Sequence, residues 1–533
     1  AFRTTWWDPS LHDNIMNYHA LPVIDYNARL QSYGDKPLTD ECEYIIICPT
    51  GPSFLSWADS LRKFRLEQGI LTKVFTVDEV GGNTTVAIEG FIDNAYNTWT
   101  IKPAACLILG DYGTDGTKNV ISPLLPHSGG YPNFASDNKY ADVDNDQLPD
   151  IVFARITAND ATQLQVMCSK ILNHERNPPV DPLFYDKPVT ALGWQTERWF
   201  QLCSEIVGGY FKNEQGKHPR RINAIYQGTP GSSWSSATNT ATIVSYFGPS
   251  GLGYIPQTPA EMPCCWNGGT STKINQAIDS GAFMVMHRDH GNYTEWGEPA
   301  YNTANAMQLN NTAMTYIFSI NCETGAYHRS SDCLGEKFHR QFKNGHNAGS
   351  SGFIAPTETS YSFVNDTFVW GMMDNMWPDF MPMEGTEPGS RGILPAFGHA
   401  AGKYFLQRSN WPYNTNNKAI THQMFHMHGD AFQVLYSEVP QLLTVTHDPE
   451  IPYGSTTFSI QTNDSAFIAL TNGDELLAVA YGSVSGPVSI TIPVLQVGTQ
   501  VKITVTKQNY FRYTDLVSVT SQNVIANFSA NNT

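Results

Sequence analysis

Between about residues 41 and 435, short apolar runs alternate with stretches of helical periodicity. Strands that are apolar on both faces are typical of a parallel sheet covered by helices. The clearest helical stretch is Ala161–His174, with Asn159 or Asp160 as its N-cap. The pattern predicts an α/β region whose two sheet-containing halves join near residues 175–188. The predicted strands are Tyr44–Cys48, Cys106–Leu109, Ile151–Phe153, Val189–Leu192, Phe283–Met286, Tyr316–Ile320 and Gly352–Ile354.

After about Pro440 the pattern changes to strict alternation of apolar and polar residues, with Gly, Asn and Asp turns between the segments. This alternation predicts a small antiparallel β-sandwich. Its strands are predicted at Thr456–Gln461, Ala466–Thr471, Leu476–Tyr481, Val488–Pro493 and Val501–Thr506. The predicted domains are an irregular arm (1–40), an N-terminal α/β subdomain (41–180), a second α/β subdomain (181–438) and the sandwich (439–533).

Composition and charge narrow the class of protein. The 533 residues are 15% charged and 12% aromatic, which excludes a globally disordered chain. The net charge of −17 argues against a nucleic-acid partner. No apolar run approaches the ~20 residues of a membrane helix, so no transmembrane segment is expected. The opening AFRTTWWDPS lacks Met and a signal-like stretch, which favours a processed protein that is secreted or on the cell surface.

A histidine and a cysteine follow two of the predicted strands. His290 comes just after Phe283–Met286, and Cys322 just after Tyr316–Ile320. Active sites of open α/β sheets lie at this carboxyl edge, and a thiol needs a neighbouring base such as histidine to attack a carbonyl. The backbone N–H groups of Gly291 and Cys322 are candidate oxyanion donors. The alternative is a structural cysteine and a hydrogen-bonded core histidine.

An acidic run suggests a cation site. Asp142, Asp144 and Asp146 alternate along the chain, so that their oxygen atoms can converge on one hard cation such as calcium. The run is not an EF-hand, because Gln147 replaces the turn glycine and Phe153 occupies the position of the bidentate glutamate. A structural calcium ion and a solvated acidic loop both remain open. No H-E-x-x-H, G-x-S-x-G or P-loop motif occurs.

The segments around His290 and Cys322 resemble the catalytic blocks of the gingipain family of cysteine peptidases. The cysteine block is the more specific of the two, because Cys333 and then Leu334-Gly335-Glu336 follow Cys322 at family-like spacing. The resemblance covers nearly the whole chain after residue 40. It is carried by the segments Glu41–Thr100, Ile101–Asp111, Leu148–Ile156, Asn173–Pro178, Asp289–Trp296, Asn321–Glu336 and Phe425–Phe432.

The resemblance implies a caspase-like α/β catalytic region of two mainly parallel-sheet subdomains, followed by an immunoglobulin-like domain. It also implies a cysteine endopeptidase that needs no cofactor for catalysis, with Cys322 as nucleophile and His290 as general acid and base. The family orients its histidine with a carboxylate. The matching position here is Gln195, so that either Glu197 reaches the imidazole or the third member is weak.

The resemblance also suggests substrate contacts. Asp366 falls near the position where a relative keeps an acid that selects basic P1 residues. The match is off by one residue, so Asn365 could occupy this position instead. The alternative role for Asp366 is that of an ordinary solvated residue at the start of a helix. Trp296 either walls the cleft or lies in the core. The expected partners are protein or peptide substrates, and the oligomeric state is left open. The second functional hypothesis, prompted by Gln195, is a catalytically weak or inactive pseudo-peptidase that acts as an extracellular binding protein.

Overall fold

Ten strands form one continuous sheet at the centre of the protein. The structure is a computed structural model that describes residues 2–4, 8–12, 14–26, 41–262, 264–389 and 392–521. The strands are β1 (Tyr44–Cys48), β2 (Thr72–Thr76), β3 (Ala105–Leu109), β4 (Val152–Ile156), β5 (Val189–Gln195), β6 (Arg220–Gln227), β7 (Met284–Arg288), β8 (Thr315–Ile320), β9 (Ser350–Pro356) and β10 (Phe425–His428). Their order across the sheet is β2-β1-β3-β4-β10-β9-β8-β7-β5-β6.

Strand β10 joins the two halves of this sheet. It pairs antiparallel with β9, through Phe353 and His428, and parallel with β4, through His428 and Arg155. The mainly parallel α/β fold predicted from the apolar runs is therefore confirmed. The strands before and after the predicted junction at residues 175–188 meet at the short strand β10, so that both halves share one ten-stranded sheet.

Helices cover both faces of the sheet and bury the strands between them. The helix predicted at Ala161–His174 runs from Ala161 to Arg176, and the side chain of Asp160 caps it by accepting a hydrogen bond from the backbone N–H of Gln163 at 2.9 Å. The other helices of this region are Pro52–Glu67, Thr85–Thr98, Asn138–Ala141, Pro182–Asp186, Phe200–Asn213, Thr240–Phe247, Ser271–Asp279, Thr303–Ala306, Leu334–Arg340, Val364–Met376, Pro395–Arg408 and Lys418–Met424.

The C-terminal residues form two further sheets. A three-stranded sheet contains Thr446–His447, Thr457–Gln461 and Val488–Thr491, and a five-stranded sheet contains Glu450–Pro452, Phe467–Asn472, Glu475–Tyr481, Gln500–Thr506 and Tyr513–Thr520. Alternate apolar residues of both sheets share one core. An ion pair of 2.6 Å between Lys502 and Glu67 links this domain to the α/β region. Residues 522–533 of the predicted sandwich lie outside the described residues.

The described part of the N-terminal 40 residues packs on the α/β region. Its short helix Asp8–Leu11 buries Leu11, and Oγ of Ser10 accepts a hydrogen bond of 3.3 Å from Asn375. Residues 27–40 of the predicted arm lie outside the described residues. Among the helices that are described, none combines the length and the apolar character needed to cross a bilayer.

Candidate active site

The register of two neighbouring strands brings Cys322 and His290 to the same edge of the sheet. Ile320 at the end of β8 pairs with Arg288 at the end of β7, and the two candidate residues each follow two positions later. The loops approach closely at Gly291, where an added Cβ would lie 3.2 Å from the carbonyl oxygen of Cys322. Both predicted oxyanion donors therefore belong to loops that are in contact.

Cys322 is the accessible thiol of the site. Among the free cysteines of the described residues, it is the one that is not buried. Its Sγ accepts a hydrogen bond of 3.3 Å from the backbone N–H of Ser360, a residue that the sequence analysis did not identify. Desolvation of the thiol by the surrounding protein raises the pKa of Cys322, while the hydrogen bonds from Ser360 and the charge of Arg288 lower it. The cysteine therefore rests as a thiol, and its attack on a carbonyl requires a base.

The base at this site is held by a glutamine. Nε2 of His290 lies 2.7 Å from Oε1 of Gln195, and the amide nitrogen of Gln195 donates a hydrogen bond to the carboxylate of Glu197. An ionised carboxylate only accepts hydrogen bonds, so the NH₂ group of Gln195 faces Glu197 and its carbonyl oxygen faces His290. Nε2 must then carry the proton, and Nδ1 holds the free lone pair.

This geometry resolves the choice between Gln195 and Glu197. The sequence left open whether Glu197 reaches the imidazole; in the structure the carboxylate of Glu197 hydrogen-bonds the amide of Gln195, and Gln195 is the residue that contacts His290. Between the described residues, no hydrogen bond joins His290 to Cys322; the imidazole makes its hydrogen bond to Gln195 and the thiol makes its hydrogen bonds to Ser360.

Aromatic rings and cations keep the imidazole of His290 neutral. The rings of Phe200 and Tyr226 have their centroids 5.2 and 4.9 Å from that of His290. Burial, together with the positive charges of Arg288 and Arg198, lowers the pKa of His290 to about 4, and the negative charge of Glu197 opposes this shift. At neutral pH the imidazole is therefore an unprotonated base.

Asp366 does not serve as a free acid in a substrate pocket. Its carboxylate forms an ion pair of 2.6 Å with Arg288 and accepts a hydrogen bond of 2.7 Å from the backbone N–H of Phe363, and its side chain is 0% exposed. The prediction that it selects basic P1 residues is wrong, because its charge is neutralised inside the protein. The competing residue, Asn365, is also buried, and it donates a hydrogen bond of 2.6 Å to Oγ of Ser360.

Trp296 is a core residue. Its ring stacks on His287 with centroids 4.3 Å apart, its indole N–H donates to Ser319 at 2.8 Å, and 1% of the residue is exposed. Of the two alternatives for Trp296, the structure therefore favours the core position over a wall of the cleft. Its position has a structural consequence, because Trp296 pairs with Gly291 across a hairpin and so fixes the loop next to Cys322.

The acidic loop is built with an unsatisfied carboxylate at its centre. Oxygen atoms of Asp142, Asp144 and Asp146 lie within 4.8 Å of one another. Asp142 is buried, its Oδ2 accepts a hydrogen bond of 3.0 Å from the backbone N–H of Gln147, and its Oδ1 has no hydrogen-bond partner. Burial raises the pKa of Asp142 to about 6. An all-oxygen set with an orphaned buried oxygen fits a hard cation.

Comparison with known proteins shows which family this site belongs to. The sequence model of peptidase family C25 matches residues 38–435 of this chain. The chain belongs to peptidase family C25. The gingipain-type cysteine peptidase inferred from the residues around His290 and Cys322 is thereby confirmed as the family of this chain.

Relatives within the C25 family include the Lys-gingipains of Porphyromonas gingivalis. One of them is 22% identical to this chain over 479 residues, which cover 84% of this chain and 24% of the relative. The chain thus spans about a quarter of the length of the curated relatives it matches.

Solved structures show the same fold. The crystal structure of the Arg-specific cysteine proteinase gingipain R has a TM-score of 0.68 and 17% identity to this chain, and the match covers 91% of this chain and 99% of that one. The complex of the pro- and mature domains of Porphyromonas gingivalis RgpB matches with the same TM-score, over 90% of this chain and 100% of that one.

Proposed function

We propose that this C25-family chain is an endopeptidase that hydrolyses peptide bonds through Cys322 and His290. The observation that carries the proposal is the placement of an accessible thiol and a neutral imidazole at one sheet edge, with the free lone pair of the imidazole on Nδ1. The predicted secreted or cell-surface location is part of this proposal.

The proposed reaction uses the imidazole twice. As Sγ of Cys322 attacks the carbonyl carbon, Nδ1 of His290 takes the thiol proton, and the N–H groups of Gly291 and Cys322 stabilise the oxyanion. His290 then gives this proton to the nitrogen of the leaving amine, and the C–N bond breaks to leave a thioester on Cys322. Water activated by His290 attacks the thioester, which releases the carboxylic acid and restores the thiol.

Gln195 and Glu197 support the positive charge that forms on His290 during this cycle. The carbonyl oxygen of Gln195 accepts the Nε2 proton, and the carboxylate of Glu197 polarises the amide from behind. An amide stabilises an imidazolium less than a carboxylate does, so we expect the pKa of His290 to stay low. We therefore expect Cys322 to rest as a thiol and to lose its proton to His290 only as it attacks the substrate.

Digestion of a peptide library by the purified chain in the presence of reductant tests this proposal. We expect cleavage of internal peptide bonds, detected by mass spectrometry, and its loss after pretreatment with iodoacetamide. The library includes basic and neutral P1 residues, since Asp366 is paired with Arg288 and offers no free charge for a basic side chain. A folded protein that cleaves none of the peptides would instead favour the inactive binding protein.

We also propose that the loop of Asp142, Asp144 and Asp146 holds a structural calcium ion. Three carboxylates at close range repel one another, and a divalent cation would relieve this repulsion and satisfy the free Oδ1 of Asp142. The loop lies in the N-terminal half of the sheet region, before β4, so that calcium would act on stability and not on the chemistry of Cys322.

Calcium is therefore expected to raise the melting temperature of the protein. Binding to the folded state alone contributes about 2.7 kcal/mol at a calcium concentration of 100 times Kd. Thermal unfolding in calcium and in EDTA measures this effect in the wild type, in Asp144→Asn and in the control Asp448→Asn, an exposed residue of the C-terminal domain. Equal melting temperatures of the wild type in calcium and EDTA would contradict the calcium site.

A further inference from the structure

Arg198 is placed beside the catalytic histidine by the turn that follows β5. The side chain of Gln195 contacts His290 at 2.7 Å, and the backbone N–H of Arg198 donates to the carbonyl oxygen of Gln195 at 3.0 Å. Two residues further on, the ring of Phe200 lies 5.2 Å from that of His290. The turn therefore wraps around the imidazole, with Arg198 between two residues that contact it.

The guanidinium of Arg198 has no partner in the part of the chain that the structure describes. Its Nε is shielded from solvent and has no hydrogen-bond acceptor. The neighbouring carboxylate of Glu197 instead binds Gln195. Arg288, the other cation near His290, differs in this respect, because two oxygen atoms of Asp366 bind it.

An unpaired arginine at this position is costly to the free enzyme. A shielded N–H without an acceptor loses its hydration, and the positive charge opposes protonation of His290. The planar guanidinium fits a carboxylate with two parallel hydrogen bonds. A carboxylate supplied by a substrate would satisfy the free donor and remove the charge that acts against the imidazolium.

We propose that Arg198 binds a carboxylate on the leaving-group side of the scissile bond. This inference rests on the proposed peptidase function. His290 protonates the departing amine, so the residues that surround His290 face the leaving half of the substrate. The enzyme then prefers peptides with an acidic side chain, or the free carboxylate of a short C-terminal fragment, directly after the cleaved bond. Tyr226, which is 49% exposed next to His290, lies on the same side.

The preference is measured with three peptides that share one acyl half. Their leaving halves carry glutamate with an amidated C terminus, glutamine with an amidated C terminus, or glutamine with a free C-terminal carboxylate. We expect kcat/KM for the glutamate peptide to exceed that for the amidated glutamine peptide by roughly tenfold, as one charged hydrogen-bonded pair provides. The third peptide shows whether a terminal carboxylate serves as well as a side chain.

Variants of Arg198 then assign the preference to this residue. In Arg198→Gln the ratio of kcat/KM between the glutamate and glutamine peptides is expected to fall to about one. Arg198→Lys retains part of this ratio, because lysine keeps the positive charge but cannot form the two parallel hydrogen bonds of a guanidinium. The control is Arg220→Gln, which also removes one positive charge. Arg220 is the first residue of β6, so it lies at the end of that strand away from Tyr226 and His290, and it donates a hydrogen bond to the carbonyl oxygen of Ala277.

Two results would overturn the inference: equal kcat/KM for all three peptides in the wild type, or an unchanged ratio in Arg198→Gln. The same peptides are also titrated against Cys322→Ala, so that binding decides the preference even without turnover. Turnover without any carboxylate preference would leave the peptidase function intact, whereas carboxylate-selective binding without turnover by the wild type would count against the peptidase function alone.

Discussion

Replacing Cys322 by alanine is expected to lower kcat/KM for peptide hydrolysis by roughly a thousandfold or more. The substitution removes the sulfur that forms the thioester, while the hydrogen bond that Ser360 donates to Sγ is a minor part of the fold. Hydrolysis of a peptide that the library identifies as a substrate measures the loss, and circular dichroism confirms that the variant is folded.

Cys333→Ala is the matched control for this substitution. Cys333 lies in the same sequence block, but it is buried, and burial raises its pKa far above the usual range. Its replacement is expected to leave kcat/KM within a few-fold of the wild type. If Cys322→Ala hydrolysed peptides at the wild-type rate, the role of this sulfur as the nucleophile would be excluded.

The second large effect is expected at Gln195. In Gln195→Leu, Nε2 of His290 loses its acceptor, so the imidazole is no longer held as the Nε2–H tautomer with its lone pair on Nδ1. We expect kcat to fall by at least about 10- to 100-fold, the range seen for residues that orient metal-bound histidines, with little change in KM. In Glu197→Gln the amide of Gln195 loses only its fixed orientation, and the decrease is smaller.

Gln195→Glu separates positioning from a purely structural role through the pH profile. A carboxylate next to Nε2 favours the protonated imidazole, which raises the pKa of His290 from about 4. The base is then protonated at higher pH, so the acidic limb of kcat/KM moves toward neutral pH and activity at pH 5 falls relative to pH 8. Profiles of wild type and Gln195→Glu that coincide would show that Gln195 does not act on the imidazole.

The buried part of the fold could be predicted from the sequence. All seven strands predicted in the α/β region lie in the central sheet, because strands that are covered on both faces leave continuous apolar runs. The edge strands Thr72–Thr76 and Arg220–Gln227 were missed, since each is partly exposed and carries polar residues. Phe425–His428 was also missed as a strand, because two histidines interrupt its apolar pattern.

For the candidate site, the sequence could predict the sheet edge at which Cys322 and His290 lie but not the contacts around them. Cys322 and His290 follow recognisable strands, and the end of a parallel strand specifies a sheet edge. The contacts of Ser360, Arg288 and Asp366 depend on loops whose packing leaves no periodic signal. Asp366 has the residue type expected for a substrate pocket, but its carboxylate can bind a basic side chain only if no cation of the protein is paired with it. Arg288 is paired with it, and the sequence does not reveal this contact.

Identifying the residue that is modified during turnover tests the catalytic assignment most directly. The protein is incubated with a peptidyl ketone inactivator whose acyl half is taken from a peptide that it cleaves, and the adduct is located by mass spectrometry of a digest. We predict one adduct, on Cys322, that forms in the wild type and in Cys333→Ala but much more slowly in His290→Ala. An adduct on a different residue that accompanies the loss of activity would contradict the assignment of Cys322 as the nucleophile.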